Sequence, residues 1–232
     1  MPRIIGGIHR RRSLTAPPDN ETSRPWPDRV KESVCNLLRG WFEEARVLEL
    51  FAGVGTMGLE TVSRGAGRVV MVERDRRILR ILEENIRQFD EEDVCEVVTG
   101  DALAAATLAR AGESFDLIFI DPPYAMMRDD QTRDRVMEQV ARCAPRLADE
   151  SFLVLRTPLN PDRVPHDVPG LVGPEVHAYA KDMFVLLYGP DLGSRDGTAQ
   201  VDAAGPAGQA GEANGGAVAD ADQADGPADA GP

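Results

Sequence analysis

The chain has 232 residues, 42% of them hydrophobic, which suits one domain with one buried core and a small appendage or tail. Its apolar stretches, such as 115–120, are far too short to cross a bilayer, and its basic start, MPRIIGGIHRRR, has no apolar stretch of a secretory signal. The odd, scattered set Cys35, Cys95 and Cys143, with His9, His166 and His177 equally dispersed, argues against a disulfide framework or a metal site and for reduced thiols in a cytoplasm.

The net charge of −13 is unevenly placed. Residues 1–40 carry Arg3, Arg10, Arg11, Arg12, Arg24, Arg29, Lys31 and Arg39 against four acids, a net +4. Binding depends on where charge sits, so the acidic mean does not exclude a polyanion at this end. A strand is expected from Arg3 to Ile8, broken by Gly6–Gly7. Pro25 and Pro27 then precede a helix in which Val30, Val34, Leu37 and Leu38 recur at helical spacing, with Asp28 as its N-cap.

From residue 46 strand and helix alternate. The runs RVLELF, RVVMVE, VCEVVTG, FDLIFID and SFLVLRTP read as strands with helices between them, hence βαβ units and a mostly parallel sheet. EVHAYA, a turn at Lys181–Asp182, and MFVLLYG read as an antiparallel hairpin closing that sheet. Residues 191–232 are rich in Ala, Gly, Asp and Pro, with eight acids against Arg195. Such a segment lacks the apolar surface to offset its ordering entropy and is expected to be a disordered acidic tail. The expected organisation is a basic extension (1–40), a catalytic domain (41–190) and this tail (191–232).

Two motifs carry chemistry. In LELFAGVGTMGLE, Gly53, Gly55 and Gly58 follow the first strand and open a helix, so backbone can turn tightly and helix N–H groups can face a ligand. Glu73 ends the second strand, twenty residues beyond Gly53, where its carboxylate can accept from two ribose hydroxyls. This loop alone fits a nicotinamide dinucleotide or S-adenosylmethionine equally. Glu49, a lone acid in an apolar strand, either faces the pocket and a ligand ammonium or marks a solvent-facing strand end. Phe51 joins it as a cofactor-contact candidate. Asp101, after the third strand, is either an acceptor for an adenine amino group or a helix N-cap.

The second motif, Asp121–Pro122–Pro123–Tyr124, follows the fourth strand, at the carboxyl edge where open α/β sheets bind ligands. Two prolines rigidify the turn and remove two donors. The Asp121 carboxylate and Pro122 carbonyl can then accept from one conjugated NH₂, and Tyr124 offers a face for a stacked base. Hydride transfer has no use for such a clamp. It favours methyl transfer from S-adenosylmethionine in a Rossmann-like class I fold.

These residues resemble the bacterial small-subunit (16S) ribosomal RNA guanine-N2 methyltransferases of the RsmD type. The similarity spans roughly 3–190 and rests on RIIGG, SRPWPDRVKESVCNLL, LELFAGVGTMGLETVSRGA, MVERDRR and FIDPPY. It departs from the usual pattern at Trp26, Cys35, Glu49 and Val54, where the family has Thr, Phe, Asp and Ser. The resemblance implies a flipped guanine in the ribosomal RNA of an assembling small subunit, a monomeric cytoplasmic enzyme, and RNA contacts from Arg3, Arg10, Arg11, Arg12, Arg24 and Arg29. A DNA adenine-N6 methyltransferase and a catalytically inactive RNA-binding assembly factor are the competing readings. The first would need a target-recognition domain that is not evident here, and the second would leave the glycines, Glu73, Asp121 and Tyr124 free to drift.

Overall fold

Short β-branched and apolar runs form a seven-stranded sheet whose order is β3-β2-β1-β4-β5-β7-β6. The strands are β1 Arg46–Leu50, β2 Arg68–Glu73, β3 Cys95–Thr99, β4 Phe115–Ile120, β5 Leu147–Thr157, β6 Leu171–Ala180 and β7 Met183–Pro190. The computed structural model describes residues 1–16, 26–112 and 114–195. Arg24 and residues 196–232 of the acidic tail lie outside them.

The first five strands pair in parallel, and β7 then inserts antiparallel between β5 and β6. Strands β1, β2 and β4 are almost wholly buried because helices cover both faces. Alternate side chains feed two cores: Val47, Val69, Leu117 and Val154 lie on one side, Leu48, Val70, Ile118 and Leu153 on the other. The first core is closed by α1 (Asp28–Leu37), α2 (Gly58–Ser63) and α3 (Arg76–Phe89). The second is closed by α4 (Ala105–Ala111), α5 (Tyr124–Arg128) and α6 (Asp130–Cys143). Helix α3 illustrates the local logic. Asp75 caps its start by accepting from the Arg77 N–H at 2.8 Å, Ile78, Leu82, Ile86 and Phe89 form its buried stripe, and Asp90 ends it in the left-handed region. This is the expected class I methyltransferase fold, with the antiparallel hairpin at its end. Among the described residues no helix is long and apolar enough to cross a membrane.

The N-terminal segment departs from expectation in two places. Residues 3–8 form no strand: a single bridge joins Arg3 to Ser13, with a turn between them. No neighbouring strand is available there, so the segment takes its partners from α2. Ile5 and Gly6 donate to the fully buried Glu60 at 2.8 and 2.9 Å, and Glu60 also pairs with buried Lys31 at 3.1 Å. Gly7 has φ +72, and a Cβ there would lie 1.6 Å from the Ser63 carbonyl oxygen, so only glycine permits this approach. Asp28 is also not the N-cap. Pro27 holds that position, and Asp28 begins the helix with its carboxylate taken by Arg3 at 2.7 Å. Ile4, Leu14 and Trp26 join the first core, so this basic segment packs as part of the domain.

Candidate active site

Strand β1 stands between β2 and β4, where the chain's winding reverses and the carboxyl edge of the sheet opens into a crevice. A cavity of about 490 Å³ occupies it, within the size range of small-ligand sites. One side is built by the glycine loop. Phe51 and Gly53 turn through positive φ (62° and 57°), and the Gly53 N–H donates to Glu73 at 3.0 Å. The other Glu73 oxygen accepts from the Arg74 and Asp75 N–H groups at 2.7 and 2.8 Å, fixing the carboxylate at the rim. Val72, Ile78 and Ala102 supply apolar wall beside it.

The opposite side is the Asp121–Tyr124 turn, carried on β4 with Tyr124 opening α5. Arg156, the residue after the last β4–β5 pair, reaches across to donate from Nε to Asp121 Oδ1 at 2.6 Å. Its guanidinium lies 4.9 Å from the Trp26 ring and 5.6 Å from the Tyr124 ring. Arg128 approaches Tyr124 at 5.7 Å. Burial raises the Asp121 pKa to about 6, against the opposing pull of the Arg156 cation and of Trp26. Trp26 Nε1 lies near enough to exert that pull, yet it makes no hydrogen bond of ordinary geometry.

Of the residues singled out from the sequence, Phe51, Gly53, Glu73, Asp121, Pro122 and Tyr124 line this one cavity. Gly55, Gly58, Glu49 and Asp101 do not. A Cβ at Gly55 would meet Leu82 Cδ1 at 2.6 Å, and one at Gly58 would meet Glu49 Oε2 and Met71 Sδ at 2.7 Å, so both glycines permit close packing behind the loop. Glu49 is buried and accepts from the Gly58 N–H at 2.9 Å. Burial outweighs that bond and pushes its pKa up to about 8. Asp101 accepts from the Leu103 N–H at 3.1 Å in a local turn, while Ala104 holds the N-cap of α4.

The arginines divide as well. Arg10, Arg11 and Arg29 are exposed, whereas Arg3 is paired with Asp28. Arg12 lies 4.2 Å from the Phe89 ring and donates to the Gln88 carbonyl and to His9 Nδ1. Arg156 and Arg128 were not anticipated as site residues. A lone arginine inside the apolar run SFLVLRTP is the signal that marks the first; nothing local marks the second.

A family model, Conserved hypothetical protein 95, matches residues 2–168. Ribosomal RNA small subunit methyltransferase D of Escherichia coli K12 is 37% identical over 122 residues, 53% of this chain and 60% of that protein. YlbH of Bacillus subtilis is 37% identical over 123 residues, again 53% of this chain and 66% of the relative. The matched region therefore spans less than two thirds of either curated relative. The solved structure of yhhF from Escherichia coli superposes with a TM-score of 0.67 at 29% identity, covering 81% of this chain and 97% of that one. With a family match running from residue 2 through the glycine loop and the Asp121 turn, this chain belongs to the Conserved hypothetical protein 95 family, the RsmD type.

Proposed function

We propose that this protein transfers a methyl group from S-adenosylmethionine to the exocyclic N2 amino group of a guanine in small-subunit (16S) ribosomal RNA. One observation carries the reading: the Asp121–Tyr124 turn faces the glycine loop and Glu73 across a single cavity. The wall suits the cofactor. Glu73 presents a carboxylate for ribose hydroxyls, Val72, Ile78 and Ala102 offer apolar surface for a purine, and Phe51 and Gly53 carry the backbone past them. Glu49, Gly55, Gly58 and Asp101 act from behind by holding this loop and its neighbour in shape. When bound, S-adenosylmethionine supplies an electrophilic methyl on a sulfonium.

The protein's own part is to make a poor nucleophile competent. The Asp121 carboxylate and Pro122 carbonyl accept hydrogen bonds from the NH₂, drawing its nitrogen toward tetrahedral geometry so that the lone pair leaves the ring. Tyr124 stacks on the extruded base. Exposed Arg10, Arg11 and Arg29 are the phosphate contacts, while Arg3 and Arg12 hold the segment that presents them. Arg24 belongs with the same basic extension, 1–40, that serves the catalytic part, 41–190. The substrate is ribosomal RNA in an assembling small subunit, met by a cytoplasmic monomer, with 191–232 as an accessory acidic tail.

The test is transfer of a labelled methyl group to 16S RNA or small-subunit particles, followed by nucleoside digestion. Label in N2-methylguanosine is expected, with Asp121→Ala inactive yet still binding S-adenosylmethionine. Label in N6-methyladenosine would refute the guanine assignment, and no transfer to either substrate would refute the activity.

A further inference from the structure

Arg156 has no part in the chemistry above, yet its placement is costly. Its side chain is 4% exposed, and a cation so buried needs compensation. It finds this in Asp121, whose Oδ1 accepts from Arg156 Nε at 2.6 Å. A register staple between β4 and β5 is not required at this point, because the parallel ladder already pairs Ile120 with Leu155 just before it. Both partners border the cavity, and the guanidinium plane is confined by the Trp26 and Tyr124 rings.

We infer that Arg156, clamped between Trp26 and Tyr124, is a positioning residue that fixes Asp121 Oδ1 and leaves Oδ2 aimed at the incoming amino group. The inference rests on the methyl-transfer reading. Two rings restrict the guanidinium, so Nε holds a fixed direction and the carboxylate cannot rotate about its own bond. Trp26 Nε1, buried and without an ordinary acceptor, adds a second positive edge beside the same group. The clamp therefore links the chain just ahead of α1 to the acceptor end of the cavity. It also makes Trp26 a working part of the site.

The charge environment gives the arrangement a measurable sign. Asp121 faces Arg156 from β5 and Trp26 from the chain just ahead of α1. It also interacts unfavourably with Glu49 on β1, while Arg128, Arg74, Glu73 and Asp75 border the same cavity. Burial raises the carboxyl to about 6 and Arg156 opposes that rise. Removing the cation must therefore push the carboxyl higher and move the acidic limb of turnover upward in pH. That shift tests the charge contact alone; the positioning role is read from kcat in a variant that keeps the charge, Arg156→Lys.

The experiment compares full-length wild type with Arg156→Gln, Arg156→Lys and Trp26→Phe. Carboxyl ¹³C NMR follows Asp121 against pH in protein alone, and turnover is measured from pH 5.5 to 9. Arg156→Gln is expected to raise the Asp121 midpoint and the acidic limb together by a pH unit or more. It should lower kcat roughly a hundredfold, as misaligned groups do, with S-adenosylmethionine affinity within twofold. Arg156→Lys restores the midpoint but not kcat, since an ammonium has no planar fork, and it keeps the test alive if the Gln variant fails to fold. Trp26→Phe keeps the stack and gives a smaller rise. An Asp121 midpoint unmoved in Arg156→Gln, or a Lys variant with wild-type kcat, would overturn the inference. Wild-type protein inert on small-subunit RNA would instead sink the functional reading, with the NMR titration still reporting on the clamp.

Discussion

Glu60 offers a direct test of how the basic segment is held. Its carboxylate is fully buried and receives four donors: the Ile5 and Gly6 N–H groups, Arg64 Nε at 2.9 Å, and Lys31 Nζ at 3.1 Å. Lys31 is itself only 1% exposed, and its remaining bond goes to the Arg3 carbonyl at 2.6 Å. Glu60→Gln keeps the shape, removes the charge and turns an NH₂ toward donors. It leaves a buried ammonium without a counter-charge, a loss of about 3–5 kcal/mol. Against a total stability of roughly 5–15 kcal/mol this is a large fraction. At about 2–4 °C per kcal/mol for a chain of this size, the melting temperature should fall by on the order of 10 °C in calorimetry. Adding Lys31→Met should recover part of the loss, because deleting both members of a buried pair is often near neutral. A single variant within about 1 kcal/mol of wild type, or a double variant no better than the single, would refute this account.

Three further outcomes follow from the same geometry. Glu49 is held above the carboxylate range in the folded protein by burial, so its contribution to stability is lost as pH rises from about 4.5 through about 8; melting curves of wild type and Glu49→Gln should diverge in favour of Gln over that window, and parallel curves would contradict it. Gly7→Ala should cost about 2 kcal/mol or more by denaturant titration, since Ser63 blocks its Cβ, whereas Gly40→Ala, with φ +92 and nothing within 4 Å, should cost only the backbone strain. Neutralising Arg10 and Arg11 should reduce the salt slope of RNA binding by roughly 1.5–2, while Arg12→Ala, packed on Phe89, should lower the melting temperature; equal effects on both readouts would show that the three arginines are not divided in this way.

The sheet was legible because its signals are local. Each buried strand is a short apolar run, each crossover helix carries its own stripe, and the reversal beside β1 follows from the order of the units. Both chemical motifs were legible for the same reason, being continuous in sequence at strand ends. What escaped was set by distant partners. Residues 3–8 have strand-like composition, but their backbone donors are claimed by a glutamate 54 and 55 residues away. Arg156 becomes a site residue only when β4 and β5 pair and bring it to Asp121, 35 residues back. A glycine can serve a ligand or a close neighbour; at Gly55 and Gly58 the close neighbours, Leu82, Met71 and Glu49, come from α3, β2 and β1 and are not marked locally in the sequence.

Asn85 shows why the two ends of the proposed site should not be read as separate modules. It is fully buried in α3, donates to the Thr15 and Val54 carbonyls at 3.0 Å each, and accepts from the Thr15 N–H at 2.8 Å. One amide thus satisfies the basic segment and the glycine loop together, and a buried polar group with every partner in place tolerates little movement of any of them. Loosening residues 1–16 should therefore reach Val54 through Asn85 without any of those residues touching the cofactor. A fall in cofactor affinity after Glu60→Gln would be evidence of this shared support. On the proposed reading, Phe51, Gly53 and Glu73 on the cavity wall are the residues that would meet the cofactor directly.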